Sequence, residues 1–433
     1  MNSIWNENIN RPQFSSLRGD RECDVLIIGG GIAGILTAFM MKRAGVDCML
    51  IEANRICSGI SKNTTAKITL QHGLIYSKIK RSYGIDKARL YLEAQEEAAK
   101  EYDILCNKIP CDYERQDSYV YSQNNIKKLE EEAFVLKQLG VMAELSDGGN
   151  LPFDVIGAVR VPDQAQFHPL KFLFGIAKDL PIYEDTKALE LMPGKVITNR
   201  GEIKSKKTII ATHFPILNKH GGYFIKMYQH RSYVLALKGA NIPNGMYVDE
   251  SDTGLSFRNY KNLLLMGGGG HRTGKSGGNW RELEDFALRY YPDAKIITRW
   301  ATQDCMTLDG IPYIGQYSKN TPNLLVTTGF NKWGMTSAMA GAMILTDIIC
   351  GKKNRYESVF SPSRSILHPQ LAINAAESII GLITPTAPRC PHLGCALKYN
   401  PVEHSWDCPC HGSRFTEDGE LIDNPATDDK KNM

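Results

Sequence analysis

The chain lacks the features that mark a secreted, membrane-spanning or nucleic-acid-binding protein. Its 433 residues carry a formal net charge of only +4, and because Lys and Arg are scattered there is no basic patch for nucleic acid. Residues 1–17 lack the apolar core of a signal peptide, and glycines interrupt the first apolar stretch, residues 23–45. Internal repeats and low-complexity tracts are missing as well. We therefore expect a cytoplasmic globular protein with no nucleic-acid binding and no membrane insertion.

Cysteine is present, but most of it shows no pattern. The scattered residues suit free thiols in a reducing compartment; they are Cys23, Cys48, Cys57, Cys106, Cys111, Cys305 and Cys350. The other four of the eleven cysteines fall, with three of the ten histidines, within residues 390–415. A hydrophobic content of 42% is ample for a buried core, and the length is typical of two to three domains.

A glycine-rich turn separates the first predicted strand from the first predicted helix. Residues 24–28 are an apolar run, residues 29–34 follow the pattern G-x-G-x-x-G, and an apolar helical pattern begins directly afterwards. Gly29 permits the tight turn, Gly31 lets the backbone approach a pyrophosphate, and Gly34 lets helix and strand pack closely. This pattern predicts a dinucleotide site; the alternative is a turn that binds nothing.

The second predicted strand, residues 47–51, ends at Glu52. A carboxylate at this place accepts hydrogen bonds from the hydroxyls of an adenosine ribose and repels a 2′-phosphate. We therefore expect FAD or NAD as the ligand, and not NADP.

Three further stretches resemble the FAD-dependent oxidoreductases of the D-amino-acid oxidase and glycine oxidase type. Residues 58–73 are a hydroxyl-rich loop where that family wraps the flavin, and residues 196–213 are a hairpin and a buried strand that ends in Ala-Thr. Residues 323–351 are a strand, a Gly-rich turn and a helix whose start points at the flavin in that family. On its own terms, a helix start at residues 334–337 would stabilise negative charge on a reduced flavin, although it could also simply pack on a sheet.

The resemblance implies FAD as the cofactor and an α/β fold, with a Rossmann-like FAD-binding domain and an interleaved α+β substrate domain within residues 1–364. The FAD-binding parts are expected at about 22–80, 155–215 and 300–351, and the substrate parts at about 81–154 and 216–299, with helices at 87–108 and 126–139 and strands at 231–237 and 255–266. The expected cofactor-binding residues are Gly29, Gly31, Gly34, Glu52, Ser58, Thr64, Thr65, Lys67, Ala211, Thr212, Gly329, Gly334, Met335 and Thr336.

The chain departs from this family at the substrate site. Amino-acid-oxidising members place an arginine a few residues before an Asp-Gly-x-Pro-x-x-Gly turn, and that arginine holds the substrate carboxylate. Here the turn is residues 309–315, and Asp304 stands at the position of the arginine. Because a carboxylate repels another carboxylate, we do not expect a plain amino acid as substrate. Arg258 and Arg272 are the remaining candidate anchors, and His72, His213 and His271 are expected to be structural hydrogen-bonders.

The tail changes in composition. A polar stretch follows residue 351, then a short apolar helix candidate near residues 371–382 and a stiff Thr-Pro-rich linker. We place the linker at residues 365–387 and a small β subdomain at residues 388–433. That subdomain is too short to fold on a hydrophobic core alone, so a bound metal has to contribute stability.

The metal is indicated by the ligand spacing. Cys390-Pro-His392 is followed, after fifteen residues, by Cys408-Pro-Cys-His411. This resembles the Rieske pattern, in which two thiolates hold one iron of a [2Fe–2S] cluster and two imidazoles hold the other. The resemblance implies that Cys390 and Cys408 bind one iron, and His392 and His411 the second. The alternative is a tetrahedral zinc site with two Cys and two His, which needs none of the flanking residues.

The Rieske resemblance implies three further features of the tail. Cys395 and Cys410 stand where several Rieske proteins form a disulfide, and Ser413 matches a serine whose hydroxyl bonds to a cluster sulfur. Full Rieske domains have several more strands before the first ligand. We therefore expect the cluster-binding part alone, with its open face covered by the flavoprotein body.

Together the two modules suggest an enzyme. A flavin accepts two electrons as hydride and can release them one at a time, whereas a Rieske centre carries one. We expect an FAD-dependent dehydrogenase that oxidises a small, amine-type substrate and passes electrons through the cluster to a one-electron carrier such as ferredoxin. The alternative is an electron-transfer or redox-sensing flavo-iron-sulfur protein without small-molecule turnover.

Overall fold

The computed structural model describes residues 3–218, 220–241, 243–251, 253–385 and 388–430. The strands of residues 1–364 are β1 (Arg21–Ile28), β2 (Cys48–Ile51), β3 (Lys67–Ile68), β4 (Glu114–Ser122), β5 (Glu144–Ser146), β6 (Gly157–Gln166), β7 (Ile182–Tyr183), β8 (Ala188–Met192), β9 (Lys195–Thr198), β10 (Gly201–Ile210), β11 (Met227–Lys238), β12 (Met246–Asp249), β13 (Ser256–Tyr260), β14 (Leu263–Arg272), β15 (Lys295–Thr307), β16 (Tyr313–Gln316) and β17 (Leu324–Thr328). The tail adds β18 (Lys398–Asn400), β19 (Ser405–Asp407), β20 (Arg414–Thr416) and β21 (Leu421–Asp423).

The helices are α1 (Ile32–Arg43), α2 (Ile75–Tyr83), α3 (Ile85–Cys106), α4 (Ile126–Gln138), α5 (Pro169–Ala177), α6 (Tyr223–Lys226), α7 (Asn279–Tyr290), α8 (Gly334–Ile349), α9 (Glu357–Phe360) and α10 (Pro369–Ile383). Short 3₁₀ turns cover Ile4–Asn6 and Ile60–Lys62. None of the helices in the described ranges combines the length and the apolar character that crossing a membrane requires.

The first sheet is the Rossmann-like sheet that the glycine turn predicts. Its strands lie in the order β16-β17-β10-β1-β2-β7, with the β8–β9 hairpin attached to β10. β1 pairs in parallel with β2 and with β10, so the carboxyl ends of these strands meet at one edge. α1 is buried on nearly all sides because it lies between this sheet and its neighbours, and it packs against α8. The predicted α/β class is confirmed.

The second sheet forms the expected α+β part and has nine strands, in the order β15-β11-β14-β13-β12-β4-β6-β3 with β5 beside β6. The helices predicted at 87–108 and 126–139 are α3 and α4, and the strand predicted at 231–237 is the longer β11. The single strand predicted at 255–266 is wrong. It is a hairpin of β13 and β14, because Lys261 adopts a left-handed turn with φ 53.

Sheet membership and chain position differ at three places. β3 lies within the expected FAD-binding part 22–80 but belongs to the second sheet. β6 lies within the expected FAD-binding part 155–215, and most of β15 within the expected part 300–351, yet both strands belong to the second sheet. The strands at the ends of both segments, β10 and β17, belong to the first sheet, as expected. The chain therefore passes between the sheets inside a segment, which residue patterns alone do not show.

The tail is a small four-stranded antiparallel sheet in the order β18-β19-β20-β21, preceded by α10. Its buried apolar cluster consists of Cys390, Cys395, Leu397, Cys408, Cys410, Phe415 and Ala426. Four of these seven are cysteines, so the cluster offers few aliphatic side chains for a core of its own. This agrees with the expectation that a bound metal contributes stability to the tail.

Candidate functional site

A cavity of about 1020 Å³ lies at the carboxyl ends of β1, β2 and β10 and against one face of the second sheet. Its wall also includes the start of α8 and the tail segment around β21. The carboxyl edge of a parallel sheet is where such folds bind their ligands. The cavity therefore joins the predicted dinucleotide site, the predicted substrate site and the tail.

The three motif glycines have separate roles in the turn. Gly29 has φ +113, and a Cβ there would lie 2.9 Å from the backbone of Ala211; a Cβ on Gly34 would lie 1.9 Å from the Gly29 carbonyl oxygen. A Cβ on Gly31 would meet only the Ser61 hydroxyl, at 3.2 Å. Gly29 and Gly34 are thus required for packing, whereas Gly31 keeps space free on the cavity side. These residues fit a pyrophosphate.

Glu52 is fixed at the end of β2 by two backbone donors. Its Oε2 accepts a hydrogen bond from the Gly30 N–H at 2.7 Å, and its Oε1 accepts one from the Asn54 N–H at 3.0 Å. Burial raises the pKa of Glu52, and the two N–H groups act against this rise. Each carboxylate oxygen keeps lone-pair capacity for a further donor, so the side chain suits ribose hydroxyls.

Most of the other expected cofactor residues line the same cavity. These are Ser58, Thr64, Thr65, Lys67, Ala211, Thr212, Gly329, Gly334 and Met335. Burial, together with the smaller effect of nearby Arg258, lowers the pKa of Lys67 to about 7. Gly34 and Thr336 are not part of the wall, because Gly34 lies beneath the turn and the Thr336 hydroxyl bonds to His72 Nε2 at 3.0 Å.

His72 is a structural hydrogen-bonder, as expected. Its Nδ1 lies 2.7 Å from the Tyr91 hydroxyl, and its ring stacks on Trp333 with centroids 5.1 Å apart. Burial lowers the pKa of His72 to about 3, so the ring is neutral. It braces the start of α8, where Trp333 is the N-terminal flanking residue.

Asp304 faces the cavity from β15. Burial raises the pKa of Asp304 to about 6, while Lys332 and Arg231 act to lower it. A carboxylate that is half-buried in a ligand cavity suits a cationic group, and it disfavours a carboxylate.

Lys332 also lines the cavity, although no local sequence motif predicts that it does. It lies in the turn between β17 and α8, where Asn331 and Lys332 have φ of 51 and 71. The Asn331 Oδ1 accepts a hydrogen bond from the Thr307 N–H at 2.8 Å, and its Nδ2 donates to the Gly329 carbonyl at 2.6 Å. Two successive left-handed residues store strain, which such contacts hold in place at functional sites.

The two candidate arginines do not line the cavity. Arg258 donates to the carbonyls of Thr65 and Ala66 at 2.6 and 2.7 Å, and it therefore fixes the hydroxyl-rich loop from behind. Arg272 donates to the carbonyls of Pro409 and Cys410, both at 3.2 Å, in the tail. Because the guanidinium groups of Arg258 and Arg272 are engaged by these carbonyls, neither arginine is placed to hold a substrate carboxylate.

His213 and His271 differ in their surroundings. His213 lines the cavity directly after Thr212, and burial lowers its pKa to about 4. Its Nε2 is buried and has no hydrogen-bond partner among the described residues. His271 instead contacts the Tyr233 hydroxyl at 3.0 Å and is a structural residue of the sheet.

The tail brings its two motif histidines together. His392 Nδ1 and His411 Nδ1 lie 3.3 Å apart, with the rings nearly perpendicular at 81°. Two nitrogens bound tetrahedrally at ~2.1 Å would lie about 3.4 Å apart. Two imidazole nitrogens that face each other at this distance therefore fit a shared metal ion.

The Cys408 sulfur lies next to His411 and to the other three cysteines of the tail. A hydrogen bond from Cys390 holds the pKa of the Cys408 thiol well below its usual value, and Cys395, Cys410 and His411 add to this effect. The Ser413 hydroxyl forms a hydrogen bond with the Cys390 sulfur, and its expected bond to a cluster sulfur stays a prediction. Thiolates are the form that binds iron, so this environment favours a metal.

The expected disulfide is not formed. Cys395 and Cys410 are free cysteines, and their sulfurs lie within 4.8 Å of each other and of Cys408. The Cys410 sulfur instead contacts the Glu377 carbonyl of α10 at 3.5 Å. Gly381 of α10 packs on both cysteines; a Cβ there would lie 2.3 Å from the Cys410 sulfur.

The cluster loops of the tail dock on the side of β11 and β15 that is opposite to Asp304, whereas the tail segment around β21 reaches the cavity wall. Gln229 Nε2 of β11 donates to the His411 carbonyl at 3.0 Å, and Gln303 Nε2 of β15 donates to the Gly412 carbonyl at 2.9 Å. Arg231 forms a buried ion pair with Glu403 of the tail. The open face of the cluster loops is thus covered by the body, as expected.

Side-chain alternation explains how one strand pair serves both sites. Ser232 and Thr302 are cross-strand neighbours that line the cavity, whereas the adjacent pair Arg231 and Gln303 faces the tail. Successive side chains of a strand point to opposite faces of its sheet. The strand pair β11–β15 therefore separates the cavity from the cluster loops by a single layer of sheet.

Comparison with known proteins agrees with this geometry. A family model described as "FAD dependent oxidoreductase" matches residues 24–348, and one described as "Rieske [2Fe-2S] domain" matches residues 365–433. The chain belongs to the FAD-dependent oxidoreductase family and ends in a Rieske domain. It is an oxidoreductase that binds FAD and a [2Fe–2S] cluster, which confirms both resemblances.

Individual proteins are similar to it over most of its length. YhfW of Bacillus subtilis, named as a Rieske 2Fe-2S iron-sulfur protein, is 36% identical over 98% of this chain and 96% of its own. Gamma-glutamylputrescine oxidoreductase of Escherichia coli is 24% identical over 84% of this chain and 93% of its own. The solved structure of glycine oxidase from Geobacillus kaustophilus covers 79% of this chain and 99% of its own, with TM-score 0.67 and 17% identity, and it establishes the shared fold.

Proposed function

We propose that this protein is an FAD-dependent dehydrogenase that removes a hydride from a small amine and passes the electrons singly through the cluster to a one-electron acceptor such as a ferredoxin. The observation that supports this most directly is the shared strand pair β11–β15. Its cavity face carries Asp304, and its opposite face carries Gln229 and Gln303, which bond to the cluster loops. A substrate site and a one-electron carrier are thereby held on the two sides of one sheet.

The cofactor residues are part of this proposal. Gly31 and Glu52 hold the pyrophosphate and the ribose, and the cavity-lining residues of the hydroxyl-rich loop, the end of β10 and the start of α8 hold the remainder of FAD. FAD supplies the two-electron chemistry, and its electrons can leave one at a time. The start of α8 offers backbone N–H groups and a positive dipole end, which favour negative charge on the cofactor.

The tail geometry and the Rieske family support our proposal for the cluster ligands. We assign Cys390 and Cys408 to one iron, and His392 and His411 to the other. The imidazole pair at 3.3 Å and the hydrogen bond between the Cys390 and Cys408 sulfurs support this set. Cys395 and Cys410 are neighbours that pack under α10 and are left out of the set.

Asp304 makes an amine the favoured substrate class. A carboxylate in the cavity attracts a protonated amine, and it repels the carboxylate of an amino acid. Arg258 and Arg272 are engaged elsewhere, and Arg81, an arginine of the described cavity wall, is paired with Glu131. The relative named for gamma-glutamylputrescine fits an amine substrate.

A purely redox-sensing role is less well supported. The cavity extends beyond the expected dinucleotide residues to Ser256, Gly268 and Asp304 of the second sheet. A sensor without turnover needs no such space. We also propose a cytoplasmic location, since the seven scattered cysteines outside the tail are free thiols in the structure.

Anaerobic stopped-flow spectroscopy tests the proposal. The holoenzyme is mixed with a panel of amines, imino acids and amino acids. An amine should reduce the flavin fastest, and the absorbance of the cluster in the same molecule should then change as the cluster is reduced. Ferredoxin should then reoxidise both centres. Reduction of the flavin by no compound of the panel, or flavin reduction that never reaches the cluster, would contradict the proposal.

A further inference from the structure

The segment that follows β10 runs from the cavity to the cluster loops. Thr212 and His213, at its start, line the cavity. The fully buried Phe214 comes next, with its ring against the His392 ring at 6.5 Å. Asn218 lies six residues after Thr212, and its Oδ1 is 2.7 Å from His392 Nε2. A short stretch of backbone and one hydrogen bond therefore connect the flavin side with one imidazole of the tail.

This segment is anchored near its start by the body and by the tail. The His213 carbonyl accepts hydrogen bonds from the Thr328 hydroxyl at 2.7 Å and from the Cys305 thiol at 3.2 Å. The Phe214 carbonyl accepts one from Asn424 Nδ2 at 2.8 Å. Asn218 is thus presented to His392 from an anchored stretch of chain.

The two nitrogens of His392 have different partners. Nδ1 faces His411 Nδ1 at 3.3 Å, on the metal side, and Nε2 faces Asn218. When Nδ1 binds a metal, the ring proton has to reside on Nε2, which can then only donate. The Asn218 amide oxygen is the matching acceptor. The contact therefore selects the tautomer that binds metal and fixes the ring plane.

The partner histidine has no equivalent contact. His411 Nε2 is buried without a hydrogen-bond partner among the described residues. Its ring packs edge-on against Phe224 at 6.0 Å. Only one of the two imidazoles therefore receives a polar contact from the flavoprotein body through its outer nitrogen.

We propose that Asn218 is a positioning residue of the cluster, through which the flavoprotein body sets the reduction potential of the iron bound by His392. A hydrogen bond accepted from the outer N–H of a metal-bound imidazole raises the basicity of the ligand nitrogen. A more basic ligand stabilises the oxidised iron, so the bond lowers the potential. The inference rests on the proposed ligand set but does not depend on substrate turnover.

Redox titration of the cluster tests this inference with chemical mediators and dithionite, followed by EPR and visible absorption, without any substrate. Asn218→Leu keeps the approximate size and removes the acceptor, so the potential should rise and the EPR g values should shift. Asn218→Asp keeps an acceptor and adds negative charge, so the potential should fall below that of the wild type. Asn424→Ala is the matched control, because it removes an interface hydrogen bond of the same segment without touching a ligand; its potential should match the wild type.

Each outcome bears on Asn218. The order Leu above wild type above Asp supports the proposal, and so does loss of iron from Asn218→Leu alone. Equal potentials and identical EPR spectra in all three proteins overturn it. Loss of iron from both Asn218 variants but not from Asn424→Ala also overturns it, because the Asp variant retains an acceptor. A protein that shows the expected order of potentials but oxidises no amine would leave this inference standing and refute the proposed function.

Discussion

Gln229 Nε2 donates to the backbone carbonyl of His411 at 3.0 Å, across the contact between the flavoprotein body and the cluster loops. Gln303 Nε2 reinforces this contact by donating to the Gln229 side-chain oxygen at 2.6 Å. Both glutamines are almost fully buried, so the contact is a permanent part of the structure rather than a transient encounter. In the proposed function, a cluster held in this way would receive electrons from the cavity side without diffusion of a partner.

The glycine turn provides the first prediction. Gly31→Val should abolish FAD binding while the protein remains folded, because the new side chain fills space beside the cavity and meets only the Ser61 hydroxyl at 3.2 Å. Flavin absorbance of the purified variant, together with its circular dichroism, measures both properties. A folded Gly31→Val protein with full flavin content would contradict the assignment.

Gly34→Ala is the matched comparison for that experiment. Its Cβ would lie 1.9 Å from the Gly29 carbonyl oxygen, so the strand and the helix have to move apart. We expect this variant to lose thermal stability in addition to flavin. The two variants thereby separate the glycine that makes room for the ligand from the glycine that makes room for the fold.

The charge of Asp304 gives a pH dependence. Burial raises the pKa of Asp304 to about 6, so the group is neutral below that pH and anionic above it. A protonated amine binds the anionic form, and kcat/KM for an amine should therefore rise as the pH increases through about 6. Asp304→Asn should lower kcat/KM about 10- to 100-fold, as expected for loss of one charged hydrogen bond, and should abolish the rise. Efficient oxidation of glycine or D-alanine by the wild type, unaffected in Asp304→Ala, would contradict this role.

The same pKa predicts the sign of a stability effect. The pKa of Asp304 is about 6 in the folded protein, above the ordinary aspartate value of 3.8, so the folded protein binds this proton more tightly than the unfolded chain does. The contribution of Asp304 to the free energy of unfolding is therefore present at low pH and lost as the pH rises from 3.8 to about 6. Asp304→Asn should remove this loss. Its free energy of unfolding, measured by denaturant titration at pH 8, should therefore exceed that of the wild type by about 1–2 kcal/mol.

The nature of the metal is the next prediction. Anaerobically prepared protein should contain about two irons per chain, as a [2Fe–2S] cluster requires, and should give a rhombic EPR signal with average g below 2 after reduction. His411→Ala should lose both irons together. His404→Ala is the matched control, because His404 lies in the same tail but is exposed and contacts Glu417. One zinc per chain without the EPR signal would contradict the cluster assignment and leave the tail with a structural metal site only.

Substitution of one assigned and one unassigned cysteine of the tail tests the ligand set. Cys410→Ser should retain the cluster, because Cys410 packs under Gly381 of α10 and is not assigned to an iron. Cys408→Ser should lose the cluster or change its spectrum strongly. Iron analysis and EPR of both variants decide between this set and one built on the neighbouring sulfurs of Cys395, Cys408 and Cys410, which lie within 4.8 Å of one another.

The buried ion pair across the module contact should be important for stability. Arg231 and Glu403 are paired with only 3% and 9% of their side chains exposed. Removing one partner of a buried pair leaves an uncompensated charge, at about 3–5 kcal/mol, and Arg231→Ala should lie at the low end because Glu403 keeps Arg414. Thermal unfolding measures the loss. Arg281→Ala is the matched control, since its side chain is 87% exposed and should change stability by about 0.5 kcal/mol or less.

The local motifs were predictable because each one depends on residues close together in sequence. The glycine turn, Glu52 and the four tail residues Cys390, His392, Cys408 and His411 have spacings set by a tight turn, a short strand or two metal-binding loops. The single strand expected at 255–266 was wrong because a hairpin turn at Lys261 has no glycine or proline to mark it. The disulfide expected between Cys395 and Cys410 was not formed, since spacing gives proximity but not bonding.

The amino-acid sequence by itself determined the two modules, their cofactors and the unusual carboxylate at position 304, because these depend on residue types at fixed local spacings. Only the tertiary structure decided that Arg258 and Arg272 point away from the cavity, that Lys332 lies in it, and that the tail covers the far side of β11 and β15. These relationships join residues up to 193 positions apart, as in Arg258 and Thr65. Contacts of that range arise from the packing of whole sheets, in which alternate side chains of one strand face different modules, and no local pattern of residues specifies them.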